Sequence, residues 1–440
     1  MPWRESLSPV RMERVALVAP EQCRRDMLVE VARSGVVELD LPYSPGAGPE
    51  ELDRAADYAI VSGPTAGLVG WAPASELSEL AATLAPLGAA VVPLARPRGV
   101  QPPTLMTAAG QGRGSRMLGD TYGTVPYADV DPSRLAGLAY VVMFGMMFGD
   151  VGQGALLLLA GLILRGGRIR KLEKLKKIWL FVAGAGLASM VFGGLYGEAF
   201  GPTGLVPVLW LDPLSSPIPM LLTALMFGAA LLAGAYALGT INRVREGGWG
   251  YALYARSGVA GSLLFVAVGL LAWGLTAGIA PMIVAAVALV VVAVVLIFTG
   301  LFVEAGGGGT GVIQAVIELV DTVIRLGSNV VSFARLAAFG LTHAALMMVV
   351  WNATAALWAP DLRALAAILV FVLGNVLTFA LEALVAGIQA LRLEYYELFS
   401  RIFQSEGRPF RPWAPVLSPA GSHEASPNIY SDSSSERGHL

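Results

Sequence analysis

"FGMMFGDVGQG", residues 144–154, interrupts an apolar run that holds no Lys or Arg from Leu135 to Leu164 and a single carboxylate, Asp150. An ionised Asp in hydrocarbon costs about 2.5–3.5 kcal/mol on insertion scales, so the stretch needs a physical explanation. Over the 440 residues 55% are hydrophobic and 14% charged, with mean hydropathy +0.65. That excludes an ordinary soluble protein and implies a multi-span membrane protein. The net charge of −2 offers nucleic acid no attraction. Cys23 is the only cysteine, so an in-chain disulfide or cysteine-based metal site is excluded. No cofactor and no metal are expected.

Outward from 144–154 the clear apolar runs are 178–200, 218–242, 257–278, 281–303, 327–358 and 364–403. Each reaches the roughly 20 residues a membrane helix needs. Basic residues gather in 165–177 (Arg165, Arg168, Arg170, Lys171, Lys174, Lys176, Lys177), in 243–256 (Arg243, Arg245, Arg256) and near the C-terminus (Arg401, Arg408, Arg411), whereas 199–217 has none. If 135–164 crossed once, every basic connection would lie opposite the N-terminal region. If it turns back on itself, with 132–148 going out and 151–167 returning, all of them fall inside. The expectation is therefore eight helices and a multi-pass cell-membrane protein with both termini cytoplasmic. The glycines of "FGDVGQG" permit the turn, and Asp150 is expected at the outer water interface. A single broken helix with Asp150 facing the protein interior stays open.

Three domains are expected: a short cytoplasmic α+β domain at 1–130, a transmembrane domain at 131–411 and a disordered tail at 412–440, rich in Pro and Ser. The N-terminus, "MPWRESLSPVRMERVALV", has no apolar core long enough for a signal peptide. "RVALVAP", a helix ending at Gly35 and "VVELDL" read as one βαβ-type unit, and 66–95 repeats the scheme. Two small lobes follow. The fold class is mainly α, with long tilted last two helices after that α+β domain. There is no P-loop and no dinucleotide fingerprint.

Ionisable residues inside membrane segments are functional candidates by default. In "SNVVSFARLAAFGLTHAALMMVV", Ser328, Ser332, Arg335, Thr342 and His343 recur at helical spacing and are expected to share one face as a polar stripe. In "GNVLTFALEALVAGIQALRLEYY", Asn375, Thr378, Glu382, Gln389, Arg392 and Tyr396 do the same. At about 1.5 Å per residue, Arg335 and Arg392 lie at similar depth, with His343 roughly 12 Å and Glu382 roughly 15 Å further out. Glu304, Glu318, Asp321 and Asn329 lie on the inner side. Two sets of titratable or polar groups are thus separated by arginines, which do not deprotonate in practice. The bland counterparts are a structural network locking the last helix, a hydrogen-bonded core histidine, an interfacial Glu198, and packing for the Met residues of 143–147.

"FGMMFGDVGQG", "GGLYGEAFG", "SNVVSFARLAAFGLTHAAL" and "LEALVAGIQALRLEYYELFSRIFQSEGRPFRPW" resemble, in order, subunit a (subunit I) of V-type and archaeal or bacterial A-type rotary ATPases. The resemblance implies a stator with two proton half-channels against a rotating proteolipid ring. It puts the essential arginine at Arg335, the second arginine at Arg392, the outer acid and histidine at Glu382 and His343, and an inner acid at Asp321. Gln389 and Asn329 stand where some members have histidines, and Ser332 joins the half-channel set. Implied partners are the c/K ring, peripheral-stalk subunits, central-stalk subunit d/C and the lipid membrane. The subunit itself is not expected to hydrolyse ATP. The departure is the short N-terminal region, in which the family's long coiled-coil arm is nearly absent. The alternatives are a secondary transporter with an internal polar site, which inverted repeats would favour, and a non-transporting assembly scaffold, favoured if both arginines were paired within the chain.

Overall fold

The computed structural model describes residues 9–42, 50–96, 100–105, 127, 129–130, 132–167, 176, 178–402 and 407–415. Two compact units divide the chain. One comprises 11–103 with the segment from 410 onward, and the other 104–409 with the first ten residues.

The smaller unit is a five-stranded sheet with helices. Its elements run β1 (Met12–Pro20), α1 (Arg24–Ser34), β2 (Glu38–Leu39), α2 (Glu50–Asp57), β3 (Ile60–Ser62), β4 (Thr65–Pro73), α3 (Leu77–Leu84) and β5 (Ala90–Leu94). Strand order is β2-β4-β1-β5, with β3 also on β4, and every pairing is antiparallel. This corrects the expected pair of lobes. The β1-α1-β2 unit is split by β4 and the β4-α3-β5 unit by β1, so the halves interleave in one ferredoxin-like sheet. The cause is β1, which buries Met12, Val15, Leu17 and Ala19 and needs partners along both edges. "VVELDL" supplies only the two strand residues of β2. Helix α1 stops, as its sequence indicates, at Gly35 with φ 59°. Trp413 completes this core, donating its backbone N–H to Val37 O at 2.8 Å and its Nε1–H to Glu51 Oε1 at 3.4 Å. The tail expected at 412–440 lies, from 416 onward, outside the described residues. The longest described helix of this unit has 11 residues, so no coiled-coil arm is found among its described residues.

The larger unit is helical. Among the described residues six segments are long and apolar enough to cross a membrane: Trp179–Tyr196, Pro217–Glu246, Val259–Ala277, Ala280–Glu304, Gly308–Leu357 and Arg363–Ile402. They contain α6 (Trp179–Tyr196), α7 (Pro217–Tyr254, kinked at Gly248), α8 (Val259–Ala277), α9 (Ala280–Glu304), α10 (Gly308–Ser332), α11 (Ala334–Leu357) and α12 (Arg363–Leu393). Helix α12 continues through a π-helical turn, Glu394–Phe399, into Ser400–Ile402. Proline within the first turns of α7 and α9 marks where they begin. The helix expected from 327 instead starts at Gly308 and breaks at Phe333. The Phe333 ring is fully buried over Gly228 of α7, where any Cβ would collide with it.

Two shorter helices precede these, α4 (Ser133–Met147) and α5 (Val151–Gly166). Both pack on α6, in opposite directions. Val141 and Gly145 of α4 lie against Gly184 and Ala188, so α4 runs parallel to α6. Gly154 and Gly161 of α5 lie against Met190 and Ala183, so α5 runs antiparallel to it. The chain therefore reverses at 148–150. A Cβ on Gly154 would come within 2.8 Å of the Met190 backbone, and one on Gly161 within 2.5 Å of Ala183. Such contacts let backbones approach closely, as small residues do between membrane helices. The connection after α5 from 168 to 175, with most of the expected basic cluster, lies outside the described residues.

The end of α7 is not simply a solvated basic patch. Arg243 is buried, pairs with Glu246 and donates to Ile402 O at 3.5 Å, while Asn242 accepts from Val130 N at 3.0 Å. Asp129 is buried here with no N–H donor on either carboxylate oxygen among the described residues. Burial, then the charge of Glu246 and a hydrogen bond shared with it, push the Asp129 pKa up to about 7, against relief from Arg243 and Arg245. Folding therefore favours the protonated acid, and stability falls as pH rises from the ordinary carboxylate range to about 7. Asp129→Asn should raise the melting temperature in detergent by a few degrees at pH 8 and by less at pH 5. An equal shift at both values would show that Asp129 does not titrate in this window.

Candidate functional site

The opening stretch folds as a helix start. Asp150 is the N-cap of α5, and its Oδ1 accepts from Gln153 N at 2.8 Å. The same oxygen accepts from Phe200 N at 3.0 Å, and Oδ2 accepts from Gly201 N at 2.9 Å. Asp150 is fully buried, which corrects its expected place at a water interface. It holds the 198–201 loop against α5, and Val151 N donates to Glu198 O at 2.9 Å. The loop conformation is unusual. Phe200 has φ 51°, a left-handed value uncommon outside glycine, and its ring lies where a Cβ on Gly152 would be.

The loop carries Glu198 into the interior, where it is 5% exposed rather than interfacial. Asp150, Glu198 and His343 each offer one ligand-competent atom within 4.8 Å of the others. His343, on α11, is 2% exposed, and its Nδ1 is hydrogen-bonded to Glu382 Oε2 on α12. Its ring packs on Phe148, with centroids 5.0 Å apart. Beside this group Gln153 donates to Asn375 Oδ1 at 3.2 Å. Four titratable side chains from α5, α11, α12 and one loop thus converge. Among the described residues none of the three acids has a Lys or Arg within salt-bridge distance. His343 Nε2 and Glu382 Oε1 are buried without a hydrogen-bond partner.

The arginines lie elsewhere. Arg335 is half-buried near the start of α11 and Arg392 is exposed on α12. Among the described residues neither makes a salt bridge. Both act by charge, with Arg401, on Glu397 in the π-helical turn, and Ser332 hydrogen-bonds to Glu397. The Asn329 amide, oriented by its neighbours, donates to Glu397 Oε2 at 2.8 Å and accepts from Arg401 Nη2 at 2.7 Å. Gln389 keeps a buried, unpartnered Oε1. Asp321 does not join this group; it pairs with Arg325 at 2.6 Å, and Glu318 pairs with Arg256 at 3.0 Å.

So His343 and Glu382 meet, and Ser332 and Asn329 meet around Glu397, a residue the sequence reading did not single out. The π-helical turn that presents Glu397 is a feature often found at functional sites. The convergence of Asp150 and Glu198 on His343 was missed as well. A signal for Asp150 existed, because Asp followed three residues later by Gln resembles a capping box at a helix start. The expected single faces also break up: Thr342 is exposed beside buried His343, and Tyr396 is 71% exposed.

Fold and site together define a multi-pass membrane protein that keeps ionisable side chains inside its helical unit. The chain belongs to the V-type ATPase 116kDa subunit family, whose model matches residues 62–202 and 308–414. It is similar to the A-type ATP synthase subunit I of Pyrococcus horikoshii, 28% identical over 307 residues, covering 68% of this chain and 45% of that protein. The A-type ATP synthase subunit I of Thermococcus kodakarensis is 26% identical over 372 residues, covering 79% and 54%. The V-type ATP synthase subunit I 2 of Treponema pallidum is 32% identical over 171 residues, covering 36% and 38%. The chain spans about half the length of the first two relatives.

Asp150→Ala would leave two buried N–H groups, Gln153 and Gly201, and the half-buried one of Phe200 without an acceptor, at about 1–3 kcal/mol for each buried one. The variant should fail to accumulate as folded protein in membranes, whereas Glu198→Gln, which removes no observed hydrogen bond, should accumulate normally. Equal yields would show that the three N–H contacts do not hold the loop.

Proposed function

We propose that this chain is the membrane stator subunit of a V/A-type rotary ATPase, forming two proton half-channels against a rotating proteolipid ring. The observation that carries this reading is the separation of charge. A carboxylate–histidine cluster is buried between α5, α11 and α12, and Arg335, further along α11, has no carboxylate within salt-bridge distance among the described residues. In this reading Asp150, Glu198, His343 and Glu382 pass protons on the outer side. Asn329, Ser332 and Gln389 line the inner path, with Asp321 at its mouth.

The α12 surface fits a large apolar partner, with Leu369, Leu373, Val376, Leu377, Leu384 and Ile388 exposed along the helix before Arg392. A ring carboxylate arriving there is kept protonated by desolvation in lipid and ionised beside Arg335. That difference makes it release its proton at the interface. The arginine stays charged and blocks a direct leak. The chain contributes no ATP chemistry. The ring, peripheral-stalk subunits and central-stalk subunit d/C are its partners, with eight spans in the cell membrane and both termini cytoplasmic.

Arg335→Lys should abolish ATP-coupled proton transport in reconstituted vesicles while the complex still assembles, because lysine deprotonates more readily when buried and lacks the planar fork. Arg392→Ala should impair transport less, and Glu382→Gln should slow it. Normal coupled transport by an assembled Arg335→Ala complex would overturn the reading. Topology is checked separately: a cysteine placed within 165–177, in a Cys23→Ser background, should react with impermeant maleimide only from the cytoplasmic side. Labelling from outside would remove the eight-span arrangement.

A further inference from the structure

We propose that Asp150, Glu198 and His343 form a binding site for a zinc-type divalent cation, with Glu382 as the carboxylate that orients the histidine. The inference rests on the reading of this cluster as the outer half-channel, since that gives a hydrated ion its way in.

Three observations carry it. The first is ligand geometry: donor atoms of the three residues lie within 4.8 Å of one another. Zinc–ligand bonds of about 2.0–2.1 Å at tetrahedral angles put donors about 3.3 Å apart, so the cluster closes on a metal by side-chain shifts of about 1.5 Å or less. The second is the state of the histidine. Nδ1 is engaged by Glu382, while Nε2 is buried and has no partner. A metal-binding histidine characteristically hydrogen-bonds a carboxylate through its other ring nitrogen, which fixes the tautomer and raises its basicity. The third is charge. Asp150, Glu198 and Glu382 share the cluster with one imidazole and, among the described residues, no salt-bridged Lys or Arg. Buried charges are paired or coordinate metals.

Asp150 retains the capacity to take part. A carboxylate offers about four lone-pair sites, and its three backbone N–H bonds use two on Oδ1 and one on Oδ2. The donor set selects the metal. One imidazole nitrogen and two carboxylate oxygens suit zinc with an open fourth position for water, whereas magnesium and calcium prefer oxygen-only shells. A cation held here occupies the proton path, so zinc supplied from the outer face should inhibit transport.

The test uses the assembled complex, stripped with chelator and titrated with Zn²⁺ by calorimetry, with X-ray absorption on the loaded sample. The wild-type complex should bind one Zn²⁺ more per stator subunit than the His343→Gln or Glu198→Gln complexes. Glu382→Gln should weaken that site about 10–100-fold, and the absorption spectrum should show nitrogen and oxygen ligands at about 2.0–2.1 Å. Assembly and melting temperature of each variant establish that it is folded. Zinc binding unchanged by His343→Gln, or displaced by a thousandfold excess of Mg²⁺, would overturn the site. ATP-coupled transport separates this from the half-channel reading. Loss of transport with unchanged zinc binding removes the metal site alone. Normal transport with loss of the zinc site removes the half-channel alone.

Discussion

A carboxylate taken out of water must be given donors, a counter-charge or a proton, and Asp150 organises the helical unit around that demand. Its donors come from the first turn of α5 and from the loop after α6. Satisfying one buried side chain therefore fixes where α5 begins, where the chain reverses after α4, and how the 198–201 loop enters the interior. The small residues follow from the same constraint. Gly193 lets α6 pass directly beside the Asp150–Val151 backbone, and Gly152 leaves room for the Phe200 ring. The left-handed backbone at Phe200 is the kind of local strain that persists where surrounding contacts over-determine it.

Much of the helical unit was legible because a membrane segment must be apolar and long, and those properties survive in one dimension. The runs at 178–200, 257–278 and 281–303 became α6, α8 and α9 within a few residues. The break at 148–150 was legible for a related reason: a lone Asp among glycines has few places to go in a membrane. Its destination was not. The donors that bury Asp150 belong to Phe200 and Gly201, fifty residues away, and no periodicity links them. The helix break at Phe333 was hidden in the same way, since it depends on Gly228 of another helix. In the sheet unit the local elements were readable, but both expected parallel units had to be opened to admit a strand from the other half.

The polar rows show where helical spacing stops being a guide. A residue in an α-helix is turned about 100° from its neighbour, so Thr342 and His343 cannot share a face, and only His343 is buried. On α12 the row drifts: Arg392, seventeen residues after Asn375, is swung roughly 100° from it. Asn375 is buried and Arg392 exposed. What reads as one stripe is a path that begins inside the bundle and emerges on its surface.

That drift has a physical consequence for how opposite charges are kept apart. His343 and Glu382 pair through Nδ1 and Oε2 across α11 and α12, which holds Glu382 away from the arginines. Glu397, the carboxylate that feels Arg335, Arg392 and Arg401 together, is engaged by Ser332 and Asn329. Hydrogen bonds of this kind hold an acid in place without a direct ion pair to Arg335, so the guanidinium keeps its forked donors available. A half-buried arginine left in this condition is costly within the isolated chain. In the proposed function that cost falls when a partner surface brings a carboxylate to it, and the exposed apolar side chains along α12 are where such a surface would be seated.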